Sequence, residues 1–150
     1  KKILKLHEQK DDKKLIHNAK FLFDNIKSID IDYDQENFLV FYLNTKNKLL
    51  NCEVLFKGAM NACVLDPKII FRKAITNKAM SIIVAHNHPS GELAPSKEDM
   101  AMAKILKEIG EFLDIEVLDN VIFNEAMIVI AIAIIGQAEW LNNFIWFSIK

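Results

Sequence analysis

Met80-Ser81-Ile82-Ile83-Val84-Ala85-His86-Asn87-His88-Pro89-Ser90-Gly91 decides how this chain is read. Its first half is apolar and partly β-branched, the pattern of a strand buried on both faces. Pro89 has no N–H for a ladder and ends the strand, and Ser90-Gly91 supplies a turn. Side chains two apart on an extended segment share a face, so His86 and His88 point one way and Asn87 the other. Beyond the turn, Pro95-Ser96-Lys97-Glu98-Asp99 reads as a helix entrance, with Ser96 as N-cap and Asp99 at the third helical position. A helix starting there returns a carboxylate to the loop that follows the two imidazoles.

Two imidazoles and one carboxylate can hold Zn2+ and leave its fourth position to water, the arrangement of a catalytic rather than a structural zinc site. Ser96 and Asp99 also have the spacing of a capping box, so that pair alone is equally a structural feature. His7 and His17 read as ordinary hydrogen-bonding residues. The conjunction favours a metal: two of only four histidines lie two apart at a strand end, with an acid at the next helix start.

His86-x-His88, seven residues, Ser96, two residues, Asp99 resembles the motif of the JAMM (MPN+, JAB) metalloprotease superfamily, and the fuller His86-Asn87-His88-Pro89-Ser90-Gly91 with Pro95-Ser96 and Asp99 resembles its bacterial RadC branch. The flanks agree: Asn37 to Asn47, then Val54-Leu55-Phe56-Lys57-Gly58, are similar to the strand pair ahead of the site in that family. The likeness spans about residues 30 to 125. It implies a single α/β domain, a mixed β-sheet flanked by helices with the JAB/MPN, cytidine-deaminase-like architecture.

The resemblance also implies an upstream glutamate acting as general acid/base. Glu36 matches by position, through Glu36-x-Phe38-x-Val40-x-x-Leu43, and Glu53 is the rival carboxylate. The implied chemistry is amide hydrolysis by a zinc metalloprotease or isopeptidase-like enzyme. Zinc on His86, His88 and Asp99 polarises the carbonyl, Glu36 takes a proton from water and returns it to the leaving amine, and Ser96 helps stabilise the oxyanion. A non-catalytic metal-stabilised binding module is the second reading. A DNA-repair accessory, the role for which the RadC family was named, is the third, and fold and name do not fix function. A zinc nucleobase deaminase is disfavoured, since its His-x-Glu and Pro-Cys-x-x-Cys are absent.

One hundred and fifty residues with 51% hydrophobic content suit one domain with its own core. The formal charge is -1 and Arg72 is the sole arginine, so charge gives a nucleic-acid partner no support; a peptide or protein substrate is expected. Residues 1–20 hold seven lysines against three acids, and residues 108–125 hold six acids and no base, an asymmetry that ordinarily marks solvated faces. Cys52 and Cys63 read as buried or free thiols, and a start without an apolar signal region fits the cytoplasm.

Helical spacing runs over 13–27, through Leu15, Ile16, Ala19, Leu22, Phe23 and Ile26. Residues 37–43 and 48–56 predict a hairpin, Asp66-Pro67 opens a helix to about Asn77, and a helix runs from Ser96 to about Phe112. Short strands are expected at 115–118 and 121–123, giving the order β-β-α-β-α-β-β. The chain divides into an N-terminal helical segment, 1–30, a metallohydrolase core, 31–126, and an atypical apolar segment, 127–150. In that last segment the resemblance fails. Asn120 stands where the family usually has His, and Met127 to Ile135 is an unbroken apolar run, read as a buried last strand because it is too short for a membrane helix of about 20 residues. Trp140, Phe144, Ile145, Trp146 and Phe147 extend its apolar character.

Overall fold

Eight residues of β1, Glu36–Leu43, are all buried, which places this strand inside the sheet with both faces covered. The computed structural model describes Ile16 and residues 19–58, 65–126 and 128–130, with Ala19 and 128–130 described by backbone only. Helix α1 spans Ala19–Lys27, β1 is followed by β2 at Leu49–Gly58, and α2 spans Pro67–Thr76. Then come β3 at Ser81–Asn87, α3 at Lys97–Leu113, β4 at Glu116–Phe123 and β5 at Ile128–Ile130. The sheet order is β2-β1-β3-β4-β5. Among the described strands only β3 and β4 run parallel, and the long α3 makes the crossover that parallel neighbours need. This is the expected single mixed-sheet α/β domain.

Each strand face carries its own core. Leu39, Phe41, Ile83, Ala85, Val121 and Phe123 pack with Leu22, Phe23 and Ile26 of α1. Phe38, Val40, Ile82 and Val84 pack on the other face with Ile70 and Phe71 of α2 and Leu106 of α3. Asp66 caps α2 as its sequence suggests, accepting from the Lys68 N–H at 2.9 Å, and Pro67 opens the helix. The hairpin turns on Asn44, whose Oδ1 accepts from Lys46 and Lys48 N–H groups, and on Asn47 in the left-handed region at φ 57°.

Two expectations are corrected. Ile16 lies outside α1; its N–H donates to Asn47 O at 3.0 Å, so tertiary pairing overrides helical spacing there while the side chain stays in the core. The two short strands expected at 115–118 and 121–123 are one strand, β4, because the polar Asp119-Asn120 pair is buried within the sheet instead of forming a turn. The Asp119 side chain accepts from the Asn120 N–H at 2.8 Å, beside a register shift against Ile82 and Ile83. Of the apolar run from 127 to 135, residues 128–130 form β5 against β4. Residues 131–150, with the tail aromatics, and Cys63, His7 and His17 lie outside the described residues. Cys52 is a free thiol, half-buried, and burial pushes it up to about 12.

Helix α3 approaches β4 so closely that only glycine fits at 110. A Cβ there would stand 2.5 Å from Ile115 O and 3.0 Å from a Val117 methyl. Alanine would gain about 1 kcal/mol in helix propensity, but the backbone contact must open. Gly110→Ala is expected to destabilise the fold by about 1–3 kcal/mol net, read from urea unfolding midpoints.

Candidate metal centre

The end of β3 and the start of α3 bring three side chains to one point. His86, the penultimate residue of β3, is 3% exposed. His88 follows at the strand end, and Gly91, with φ 76°, closes a turn in which its N–H donates to His88 O at 2.9 Å. This turn needs the left-handed freedom of glycine. The chain then reaches Ser96, which caps α3: Ser96 Oγ accepts from the Asp99 N–H at 3.0 Å, and Asp99 Oδ2 accepts from the Ser96 N–H at 2.7 Å. The capping box is formed, and it fixes the Asp99 carboxylate toward the strand end.

His86 Nε2 and His88 Nε2 stand 3.1 Å apart, Asp99 Oδ1 is 3.1 Å from His86 Nε2, and Asp99 Oδ2 is 3.2 Å from His88 Nε2. A first-row divalent ion with bonds of about 2.0–2.1 Å sets its ligand atoms about 3.0 Å apart at right angles and about 3.4 Å apart at tetrahedral angles. The two imidazole nitrogens have the separation such an ion requires, a different Asp99 oxygen lies at that distance from each, and His86, His88 and Asp99 can together hold an ion. Ring orientation agrees. His88 Nδ1 lies 2.9 Å from Glu92 O, which can only accept, so Nδ1 carries the proton and the Nε2 lone pair faces the cluster. Burial pushes the Asp99 carboxyl up, but hydrogen bonds from His86 and Ser96 and the nearby His86 charge outweigh it and hold Asp99 well below the usual carboxylate range.

Glu36 begins β1, two residues before Phe38, which pairs with His86 and stacks on its ring at 6.1 Å and 15°. Residues two apart share a face, so Glu36 lies on the face of His86. It is 7% exposed, and its buried Oε2 has no hydrogen-bond partner among the described residues. Burial raises its pKa, His86 and His88 lower it, and Asp99 raises it, with burial the largest cause. Glu53 is elsewhere: it pairs with Lys73 at 2.6 Å and accepts from Asn51 at 3.1 Å, opposite Val40 in the ladder. Beside His88, a cleft of about 330 Å³ is lined by Tyr33, Asp34, Pro89, Ser90, Asn124 and Glu125 among others.

Sequence reasoning did not find the Asn37–Asn87 pair that ties the entrance of β1 to β3, nor the Glu92 carbonyl that orients His88. Asn inside apolar strands was a visible signal for the first; a backbone carbonyl leaves none for the second. Ser96 has a structural duty, and Ser96→Ala is expected to cost about 1 kcal/mol of stability through the lost cap, measured by thermal unfolding.

The RadC-like JAB domain family matches residues 16–133. Among curated relatives, a UPF0758 protein of Bacillus cereus is 39% identical over 107 residues, 71% of this chain and 46% of its own length. A UPF0758 protein of Staphylococcus haemolyticus is 46% identical over 94 residues, 63% of this chain and 41% of its own length. One from Halalkalibacterium halodurans is 43% identical over 91 residues, 61% of this chain and 39% of its own. The chain thus spans less than half the length of the curated relatives it matches. Among the described residues, no helix is long and apolar enough to cross a membrane. The match over most of the chain, with the clustered His86, His88 and Asp99 at its centre, shows that the chain belongs to the RadC-like JAB domain family.

Proposed function

We propose that this domain is a zinc-dependent hydrolase of peptide or isopeptide amides, with His86, His88 and Asp99 as metal ligands and Glu36 as general acid/base. The observation that carries the reading is the buried Glu36 Oε2, without a hydrogen-bond partner among the described residues, on the face of the sheet that bears His86. Leaving a buried carboxylate oxygen without a partner costs free energy, and a site that binds a cation and water supplies the missing partner. A bound zinc ion supplies Lewis acidity, polarising a carbonyl and making water acidic near neutral pH. The chain's own groups do the rest. Glu36 accepts a proton from water and delivers it to the departing amine. The Ser96 hydroxyl, already accepting from Asp99 N–H, keeps its own hydrogen free to donate toward a developing oxyanion. The cleft beside His88 gives an extended substrate room to lie.

The test pairs metal analysis of the purified protein with cleavage of an unbiased peptide library, before and after chelation. Zinc near one equivalent, and cleavage that chelation abolishes and zinc restores, are expected. Iron in the site would point instead to the oxygen chemistry of two-histidine, one-carboxylate centres. Zinc without any cleavage would leave the metal-stabilised binding module. His88→Ala is expected to lose the metal, and full retention would overturn the ligand set.

A further inference from the structure

The antiparallel ladder between β1 and β3 ends one residue too early to place Glu36. Its last Cα pair is Phe38 with His86, so Glu36 and Asn37 are paired only with β2, through Gly58 and Lys57. At the next rung, where backbone pairing would set Asn37 opposite Asn87, the Asn87 side chain stands in. Its Oδ1 accepts from the Asn37 N–H at 2.8 Å and from Asn37 Nδ2 at 3.0 Å. Its Nδ2 donates to Gln35 O at 2.8 Å and Tyr33 O at 3.4 Å. Asn37 Nδ2 also donates to Asp32 O at 2.8 Å and Gln35 O at 3.0 Å, so both amides hold the 32–35 turn that leads into Glu36. Both residues are at most 1% exposed, where hydrogen bonds are strong and losing one is costly.

Resting on the hydrolase reading above, we infer that Asn87, pointing away from the imidazoles on either side of it, is a positioning residue that fixes Glu36 against the metal centre. The ligands do not depend on it in the same way. His86 is held by the Phe38 rung, and Asp99 by its capping box. Removing the Asn87 amide therefore leaves the entrance of β1 held by β2 alone, loosened on its β3 side, with the three ligands still assembled. Misplacing a catalytic group by about 1 Å costs on the order of 100-fold in rate.

The test uses Asn87→Leu, close in size and without polar atoms, and Asn87→Asp, which keeps the acceptor for the Asn37 N–H. The protein is loaded with Co2+, and the paramagnetic effect on the side-chain carbon resonances of Glu36, His86 and His88 is recorded alongside peptide hydrolysis. Asn87→Leu is expected to keep the histidine effects, lose most of the Glu36 effect, and lower kcat on the order of 100-fold with KM little changed. Asn87→Asp keeps the acceptor for the Asn37 N–H but sets an oxygen against Gln35 O and Tyr33 O, so it is expected to weaken the Glu36 effect and kcat as well; it keeps the test in force if the leucine variant does not fold. A Glu36 effect and kcat that survive undiminished in folded Asn87→Leu or Asn87→Asp protein would overturn the inference. Absence of histidine effects in the unsubstituted protein would overturn the metal reading, and the inference with it.

Discussion

Glu36→Gln is expected to leave the metal bound and lower kcat by about 10²–10⁴-fold, the range that a positioned general base contributes. The substitution conserves shape and replaces a proton acceptor with an amide. Because Glu36 is not among the three clustered donors, metal stoichiometry should not change. Burial raises the Glu36 pKa while the two imidazoles pull it down, and a bound cation acts in the same direction as the imidazoles. Glu53→Gln is the control: its ion pair with Lys73 lies away from the cluster, so hydrolysis should be little changed. Undiminished hydrolysis by metal-loaded Glu36→Gln protein would remove Glu36 from the mechanism.

A second large effect is expected in stability, at Asp119. This carboxyl is 2% exposed, it accepts a hydrogen bond from the neighbouring Asn120 N–H, and burial pushes its pKa up to about 7 despite that bond. The unfolded chain releases the same proton near pH 4, so the folded state binds more protons between those limits. Stability is then unaffected below about pH 4, falls as pH rises, and levels off above about pH 7, a loss on the order of 4 kcal/mol in total. Asp119→Asn keeps the acceptor for the Asn120 N–H and cannot ionise. Urea unfolding between pH 5 and 8 is expected to lose its downward slope in this variant, whatever the offset at any one pH. An unchanged slope would show that Asp119 does not ionise across this range.

Local chemistry made much of this molecule legible in its sequence. An apolar β-branched run ending in His-x-His-Pro is a buried strand because little else accommodates those residues, and β3 is that strand. Asp66-Pro67 and Ser96-x-x-Asp99 mark helix starts because capping uses atoms within four residues, and both caps form. The hairpin of β1 and β2 follows from two apolar segments around a turn of Asn and Lys. The unbroken β4 was not legible: Asp119-Asn120 has turn chemistry locally, and only its place beside β3 turns it into strand. Ile16 likewise left its helical pattern for a bond to Asn47.

Residue identity and short-range spacing were enough to establish the donor types, their order along the chain, and the family they belong to. Long-range packing decided where each carboxylate lies. Glu36 and Glu53 are equivalent as letters and share a sheet face, yet register sets Glu36 two residues from the Phe38–His86 rung and Glu53 opposite Val40, where it pairs with Lys73. Packing also settled the use of Asn87, whose amide completes a ladder that the backbone leaves one rung short. Register and burial arise from contacts between residues up to about fifty positions apart, and no local pattern encodes such contacts.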